Sequence, residues 1–367
     1  MKRIVYIISD THKSLEFEWT ISNLQAKFDL HVILIGEKET ELKRFLLSKK
    51  IPTHFISDQE YVGWFSKLRR SVSLLSQLKP HTIHCHLWRA SLIGLTTGWL
   101  LRISQRVFTR HHSMLHYHEY PSGRKWDRLC NFLATHIVAI SQNVKNVLIN
   151  YDRADEGKIM VIHHGFDLEY FQTVDSKLVD EIRQKYQINR RPVVGVISRY
   201  LELKGIQFII PAFKELLNEY PEALLVLANA NGPYSRAIKK HLSQLPTDSF
   251  REIVFESNLA ALYKTFDLYI HVPIDSEREA FGQTYVEALA SGVPSIFTLS
   301  GVAPEFLHDG QQALVVPFQN AEAITKACMR ILTDKNLSAT LQAKGLQAVQ
   351  QFRLQNLIAE LEKLYAS

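Results

Sequence analysis

Residues 277–298 read EREAFGQTYVEALASGVPSIFT, and the order of local structures written into them decides the fold. The apolar run 267–272 (DLYIHV) just before them suits a buried strand. Phe281-Gly282 makes a turn. Residues 284–290 then tolerate a helix up to Ser291-Gly292, where Val293-Pro294 opens another short apolar strand. The amino end of that helix carries unpaired N–H groups and the positive end of its dipole, so it favours an anion such as a phosphate, and Gly282 lets the backbone come close. Glu287 falls about one turn into the helix and Glu279 on the loop before it, so the two carboxylates bracket one extended ligand.

The same alternation extends in both directions. In the second half, strand-like runs occur near 192–197, 223–228, 252–255, 267–272, 295–298 and 313–316; in the first half they occur at 4–8, 31–35, 82–84, 107–109, 136–140 and 160–162. Helical patterns separate them, which predicts an α/β protein of two doubly wound, Rossmann-like domains facing across a cleft. Residues 168–191 are polar and charged without a strand pattern, so the connection is placed there.

Composition agrees with two soluble cores. The chain has 367 residues, 46% hydrophobic and 22% charged, and no apolar run long enough to span a bilayer. Residues 3–8 (RIVYII) lack an adjacent small-residue cleavage site, so no signal peptide is read and a cytoplasmic protein is expected. Cys85, Cys130 and Cys328 are widely spaced, which argues against a disulfide framework or a zinc site. The net charge of +6 lies wholly in residues 1–180, the remainder being balanced. A basic first half suits something anionic, such as a membrane leaflet, a phosphorylated acceptor or nucleic acid, or a merely solvated face.

Ligands of open parallel sheets bind beyond the carboxyl ends of the strands. The residues at those positions are Ser9-Asp10-Thr11-His12, Arg110-His111-His112, His163-His164-Gly165, and 198–205 (SRYLELKG). Arg199 and Lys204 there could grip a diphosphate, Arg by its fork and Lys as a compact charge, or be the solvated charges of an ordinary helix start. No GxxxxGK[ST] or GxGxxG is present, which argues against a P-loop NTPase and a dinucleotide oxidoreductase. Two carboxylates flanking a phosphate-binding helix end suit a ligand with hydroxyls on both sides of a diphosphate, the layout of a nucleotide sugar. The 16 histidines cluster at 81–86, 111–118 and 163–164, but without HExxH, cysteine partners or an Asp-x-Asp pair no metal is expected. Residues 61–80 form a basic amphipathic pattern, suited either to an anionic membrane or to packing on the protein's own sheet.

These pieces resemble the retaining, nucleotide-sugar-dependent glycosyltransferases of the GT-B fold, the group 1 glycosyl transferases. Gly195-Val196-Ile197-Ser198-Arg199 through Lys204-Gly205 is similar to the family's GRLxxxKG segment. Glu279-Ala280-Phe281-Gly282 through Glu287-Ala288-Leu289-Ala290-Ser291-Gly292-Val293-Pro294 is similar to EGFGxxxxEAMAxGxP, and Gly301 to Glu305 with Asp309-Gly310 to GGxPE and DG. In the first half, 162–167 (IHHGFD) resembles IPNGVD with His164 where asparagine is usual, and Thr109-Arg110-His111-His112 resembles the TxH stretch. The family's glycine-rich turn after the first strand is replaced by Ser9-Asp10-Thr11-His12.

The resemblance implies the following assignments. Arg199 and Lys204 bind the donor diphosphate and offset charge on the departing nucleotide in place of a metal. Glu279 holds the donor sugar, with Arg199, Lys204 and His111 as the other catalytic candidates. Ala280, Phe281, Gly282, Gln283 and Thr284 contact the donor, Glu287 binds the ribose, and the base lies near 253–257, including Phe255. Asp10, Thr11, His12, Arg110, His112 and His164 face the acceptor. The expected domains are 1–170 plus 354–367, the last helix crossing back, and 171–353. The expected function is retaining transfer from a nucleotide-sugar donor to a glycan or lipid-linked acceptor in cell-surface polysaccharide or glycolipid synthesis. No cofactor, metal or nucleic acid is expected, and the inner face of the membrane is expected as a peripheral location. Two alternatives stay open: a GT-B sugar epimerase or phosphorylase, and a catalytically inactive sugar-nucleotide-binding protein.

Overall fold

The computed structural model of the chain describes residues 1–9, 11–37 and 39–366. It divides into two compact units, Met1–Phe166 with Leu354–Ser367, and Asp167–Arg353. The first holds a seven-stranded sheet: β1 (Arg3–Ser9), β2 (Asp29–Gly36), β3 (Thr53–Ser57), β4 (Thr82–His86), β5 (Gln105–Arg110), β6 (His136–Ala139) and β7 (Ile159–Val161). Every pairing is parallel, in the order β3-β2-β1-β4-β5-β6-β7. The second unit repeats the plan with β8 (Val193–Ile197), β9 (Leu224–Ala228), β10 (Phe250–Ile253), β11 (Leu268–His271), β12 (Ser295–Phe297) and β13 (Leu314–Val315), ordered β10-β9-β8-β11-β12-β13 and again parallel. The expected doubly wound α/β class is what the chain adopts.

Central strands read as near-continuous apolar runs because helices cover both faces, and β8, β9 and β11 are buried at every position. The edge strand β3 carries no such signal. Its last two residues alone are buried, so its sequence, THFIS, goes unread as a strand. β10, the equivalent edge strand of the second unit, lies at 250–253 instead of the expected 252–255, and Val254 and Phe255 are exposed beyond it.

The polar segment 168–191, at whose amino end the connection is expected, lies in the second unit. It contains the helices Leu168–Gln172 and Ser176–Lys185, capped by the carboxylates of Asp167 and Asp175. Phe171, Val179 and Ile182 are buried, so these helices have an apolar face that the charge pattern concealed. The terminal helix Leu354–Ala366 packs into the first unit, with Ile358, Leu361, Leu364 and Tyr365 in its core. The basic pattern of 61–80 becomes the helix Trp64–Leu78, with Leu74, Leu75 and Leu78 turned inward and Phe65 83% exposed. Among the described residues no helix is long and apolar enough to cross a membrane.

Candidate functional site

In the second unit two loops leave the carboxyl ends of neighbouring strands, β8 and β11, and meet. Gly205 makes the meeting feasible. It sits at φ +75°, and a Cβ there would fall 1.9 Å from the carbonyl oxygen of Val272, so only glycine lets this turn lie against the end of β11. The Ile274 N–H donates to the Leu203 carbonyl (3.0 Å) and joins the loops. Lys204 is thereby aimed at Glu279, its Nζ 2.5 Å from Oε2, and His271 Nε2 lies 3.3 Å from the same oxygen.

Glu279 is buried, and burial alone would push its carboxyl up. The Lys204 charge and the His271 contact overcome that and hold it down at about 2. His271 is itself held below its ordinary range by burial, and its ring stands edge-on to Tyr285 (4.7 Å). Sequence reasoning absorbed His271 into the apolar run DLYIHV; an imidazole set between Ile270 and Val272 was the available signal.

Ala280 and Phe281 follow Glu279, and Phe281 is buried against Phe352 (ring centroids 5.8 Å). Gly282, at φ +82°, turns the chain into the helix Gln283–Ala290. Gln283 and Thr284 form its first turn, where N–H groups lack intrahelical acceptors. Arg199 is exposed and makes no side-chain hydrogen bond or ion pair among the described residues. This end of the unit therefore joins an open cation, a second cation on a buried carboxylate and a helix amino terminus, which suits an anion linked to a hydroxyl-bearing group.

Glu287 lies one turn deeper and is buried, accepting a hydrogen bond from the Tyr263 hydroxyl (2.9 Å). Burial raises its carboxyl to about 7, the tyrosine bond only partly opposing the rise. Ionisation is thus easier in the unfolded chain than in the folded one. The stability deficit is absent below about pH 4.5, grows as pH rises towards 7, and is then constant at about 3 kcal/mol. Glu287→Gln keeps an acceptor for Tyr263 and removes the charge. It is expected to raise the unfolding free energy at pH 8 and to leave it nearly unchanged at pH 4.5, as read by urea titration. Phe255 stands apart from this cluster in character: it is 56% exposed, while the next residue, Glu256, is buried and bonded to Lys185 (2.8 Å) and Tyr186 (2.7 Å).

In the first unit the candidates at the ends of β1, β4, β5 and β7 fall into three groups. Thr11 and His12 line a cavity of about 400 Å³ together with Glu37, Thr40, Asp58 and Arg89. Asp10 lies outside the described residues. His111 and His164 stack at 5.6 Å, His164 Nδ1 lies 2.8 Å from Glu16 Oε1, and His111 Nε2 lies 3.1 Å from His86 Nδ1. Burial holds His111 down at about 4, in spite of Glu16, so it is a neutral imidazole at neutral pH. Glu16 and His86 complete this group, and neither was singled out as a site residue by sequence reasoning because they come from a helix start and the neighbouring strand.

The third group is internal. Arg110 is 2% exposed, and its guanidinium lies 2.9 Å from Asp127 and 3.2 Å from Asp152. His116 Nδ1 is 2.6 Å from Asp127, and His112 Nε2 is 3.6 Å from it. Burial works against the Asp127 charge, yet the bonds to the two histidines and the Arg110 charge keep its carboxyl well below the ordinary range. Arg110 thus anchors the end of β5 from inside the fold, next to His111.

Comparison with known proteins accords with this arrangement. Residues 179–347 match the family described as glycosyl transferases group 1, and residues 21–170 match glycosyltransferase family 4. The chain is 26% identical over 352 residues, 92% of its length and 89% of the relative's, to the capsular polysaccharide biosynthesis glycosyltransferase CapM of Staphylococcus aureus. It is 30% identical over 189 residues, 49% of either chain, to a GDP-mannose-dependent α-(1-6)-phosphatidylinositol monomannoside mannosyltransferase of Mycolicibacterium smegmatis. Its fold matches that of Anabaena HepE, crystallised with UDP and glucose, at a TM-score of 0.85 with 19% identity over the full length of both chains. A sucrose-phosphate synthase of Thermosynechococcus elongatus matches at a TM-score of 0.80, 17% identity and 98% of its length. Two parallel doubly wound sheets of the GT-B kind, with family matches in both halves, make the chain a glycosyltransferase whose residues 179–347 belong to the glycosyl transferases group 1 family and whose residues 21–170 belong to glycosyltransferase family 4.

Proposed function

We propose that this glycosyltransferase moves a sugar, with retention of anomeric configuration, from a nucleotide-sugar donor to a glycan or lipid-linked acceptor in cell-surface polysaccharide or glycolipid synthesis. The observation that carries the reading is the Lys204–Glu279 contact at 2.5 Å beside the amino end of the helix Gln283–Ala290. Lys204 and Arg199 take the donor diphosphate and stabilise the charge that grows on the leaving nucleotide, without a required metal. Glu279, held ionised, accepts hydrogen bonds from donor-sugar hydroxyls, and Glu287 accepts from the ribose. His111, kept neutral by burial, offers a hydrogen bond at the reacting sugar. Same-face attack follows, the leaving phosphate taking the acceptor proton. The roles of CapM and of the mannosyltransferase in their own organisms support this class of substrate.

A thermal-shift screen of UDP-, GDP- and ADP-sugars tests the donor assignment, since a donor that binds only the native state raises the melting temperature. One class is expected to give a shift of several degrees; no shift from any of them would overturn the assignment. Product analysis with the binding donor then separates transfer from epimerisation, phosphorolysis or mere binding, and the anomeric configuration of the product tests retention. A cytoplasmic place at an anionic membrane surface is part of the proposal. The basic first half and the exposed Phe65 beside Arg69 support it, and salt-sensitive sedimentation with anionic vesicles is its check.

A further inference from the structure

Two groups in the first unit bring three potential metal-binding side chains together: Glu16 with His111 and His164, and His112 with His116 and Asp127. In each, one donor atom per residue lies within 4.8 Å of the others. The second group already contains a cation, because the Arg110 guanidinium sits 2.9 Å from Asp127. A dication there would meet that charge at close range in a buried setting, which disfavours it. The first group is built differently. His164 faces the Glu16 carboxylate at 2.8 Å, and His111 faces the neutral ring of His86 at 3.1 Å.

We infer that Glu16, His111 and His164 form a binding site for a divalent transition metal of the zinc class, and that its occupation switches the enzyme off. Two imidazoles and one carboxylate are a ligand set such ions take, with a fourth position open to water. Bonds of about 2 Å put the ligands of one tetrahedral ion roughly 3.3 Å apart, so small side-chain rotations close the set. The pieces are held where they are needed. Glu16 is in the first turn of the helix Leu15–Leu24, His111 follows β5, His164 follows β7, and the stacked rings at 5.6 Å share a face. With His111 Nε2 donating to His86 Nδ1, the pair gives the outer support that metal-bound histidines ordinarily have. His164 stands where the family usually has asparagine, so the third ligand is a feature of this chain. The metal would be an inhibitor, not a cofactor: it ties up His111, the histidine offered above to the reacting sugar. Inhibition rests on that role; binding does not.

Calorimetric titration of the whole chain with Zn²⁺ alone separates the two. The native protein is expected to bind one Zn²⁺ at this site. His164→Asn and Glu16→Gln are each expected to weaken it at least tenfold, since even outer-shell changes cost that much. His118→Asn, an exposed histidine outside the group, is the control and is expected to bind as the native chain does. Melting curves of the variants without metal confirm folding. Native-like Zn²⁺ affinity in both folded variants, or equal loss in the control, would overturn the site. Activity is then compared with and without Zn²⁺ for each protein. Inhibition is expected in the native chain and reduced in the variants, and a saturated native enzyme that keeps its full rate would overturn the switch while leaving both the site and the transferase reading intact.

Discussion

Lys204→Ala is expected to lose both donor affinity and stability, and the two losses should respond differently to a second substitution. Removing the lysine strips Glu279 of its strongest favourable partner while burial continues to oppose its charge. A charge left buried after its partner is removed typically costs about 3–5 kcal/mol. The lower figure applies here because the Lys204 side chain remains 19% accessible to water. Donor affinity, read by calorimetry, should fall at least tenfold, the scale of one lost charge-assisted bond to phosphate, about 1.5–3 kcal/mol. Adding Glu279→Ala should recover much of the stability, because no unpaired carboxylate remains, yet affinity should stay low. An unchanged Kd in Lys204→Ala would remove this lysine from the donor site. Recovery of affinity in the double variant would show that the carboxylate, not the missing cation, was the obstacle.

The other large effect is expected inside the first unit. Arg110→Met preserves much of the length of the side chain but leaves the buried Asp127 and Asp152 with no guanidinium between them. Asp152 is already raised by burial with Arg110 present, so its charge is the first to be given up. The variant is expected to lose about 3–5 kcal/mol at pH 8. The sign of the pH effect follows from linkage. Raised carboxyl groups bind more protons in the folded than in the unfolded state, so the deficit shrinks as pH falls towards 5. Melting temperatures of native and variant proteins at the two pH values check this: the gap should narrow at pH 5, and a gap independent of pH would show a packing defect instead. Because Arg110 also donates to the His112 carbonyl (3.0 Å), activity should fall even under conditions where the variant is folded.

Legibility in the sequence tracked how locally each feature is encoded. Strands in the middle of either sheet are covered on both faces, so their burial is written as unbroken apolar runs, and β8, β9 and β11 could be read without a partner in view. β3 could not, since only its last two residues are buried and no apolar run marks it. The Lys204 and Glu279 loops stood out because glycine and charge follow apolar runs directly. What remained hidden was the wiring among distant positions. Asp127 and Asp152 come from a helix and a loop far along the chain from Arg110, and nothing in their neighbourhoods reveals that they converge on one guanidinium. Glu287 was legible as a position but not as a weak acid, because its environment depends on Tyr263 and the packing around it.

The return of the helix Leu354–Ala366 to the first unit makes the second unit an insert in a single longer domain. The point of departure and the point of return are tied together, the Leu354 N–H donating to the Phe166 carbonyl at 2.9 Å. The Tyr365 hydroxyl then reaches the Tyr6 hydroxyl and His84 Nδ1, each at 2.5 Å, locking the last helix against the first strand of the same sheet. In the chain, therefore, the second unit is one uninterrupted segment, residues 167–353, whose two ends lie at a shared doorway. Both the seven-stranded sheet and its closing helix are thus encoded outside residues 167–353.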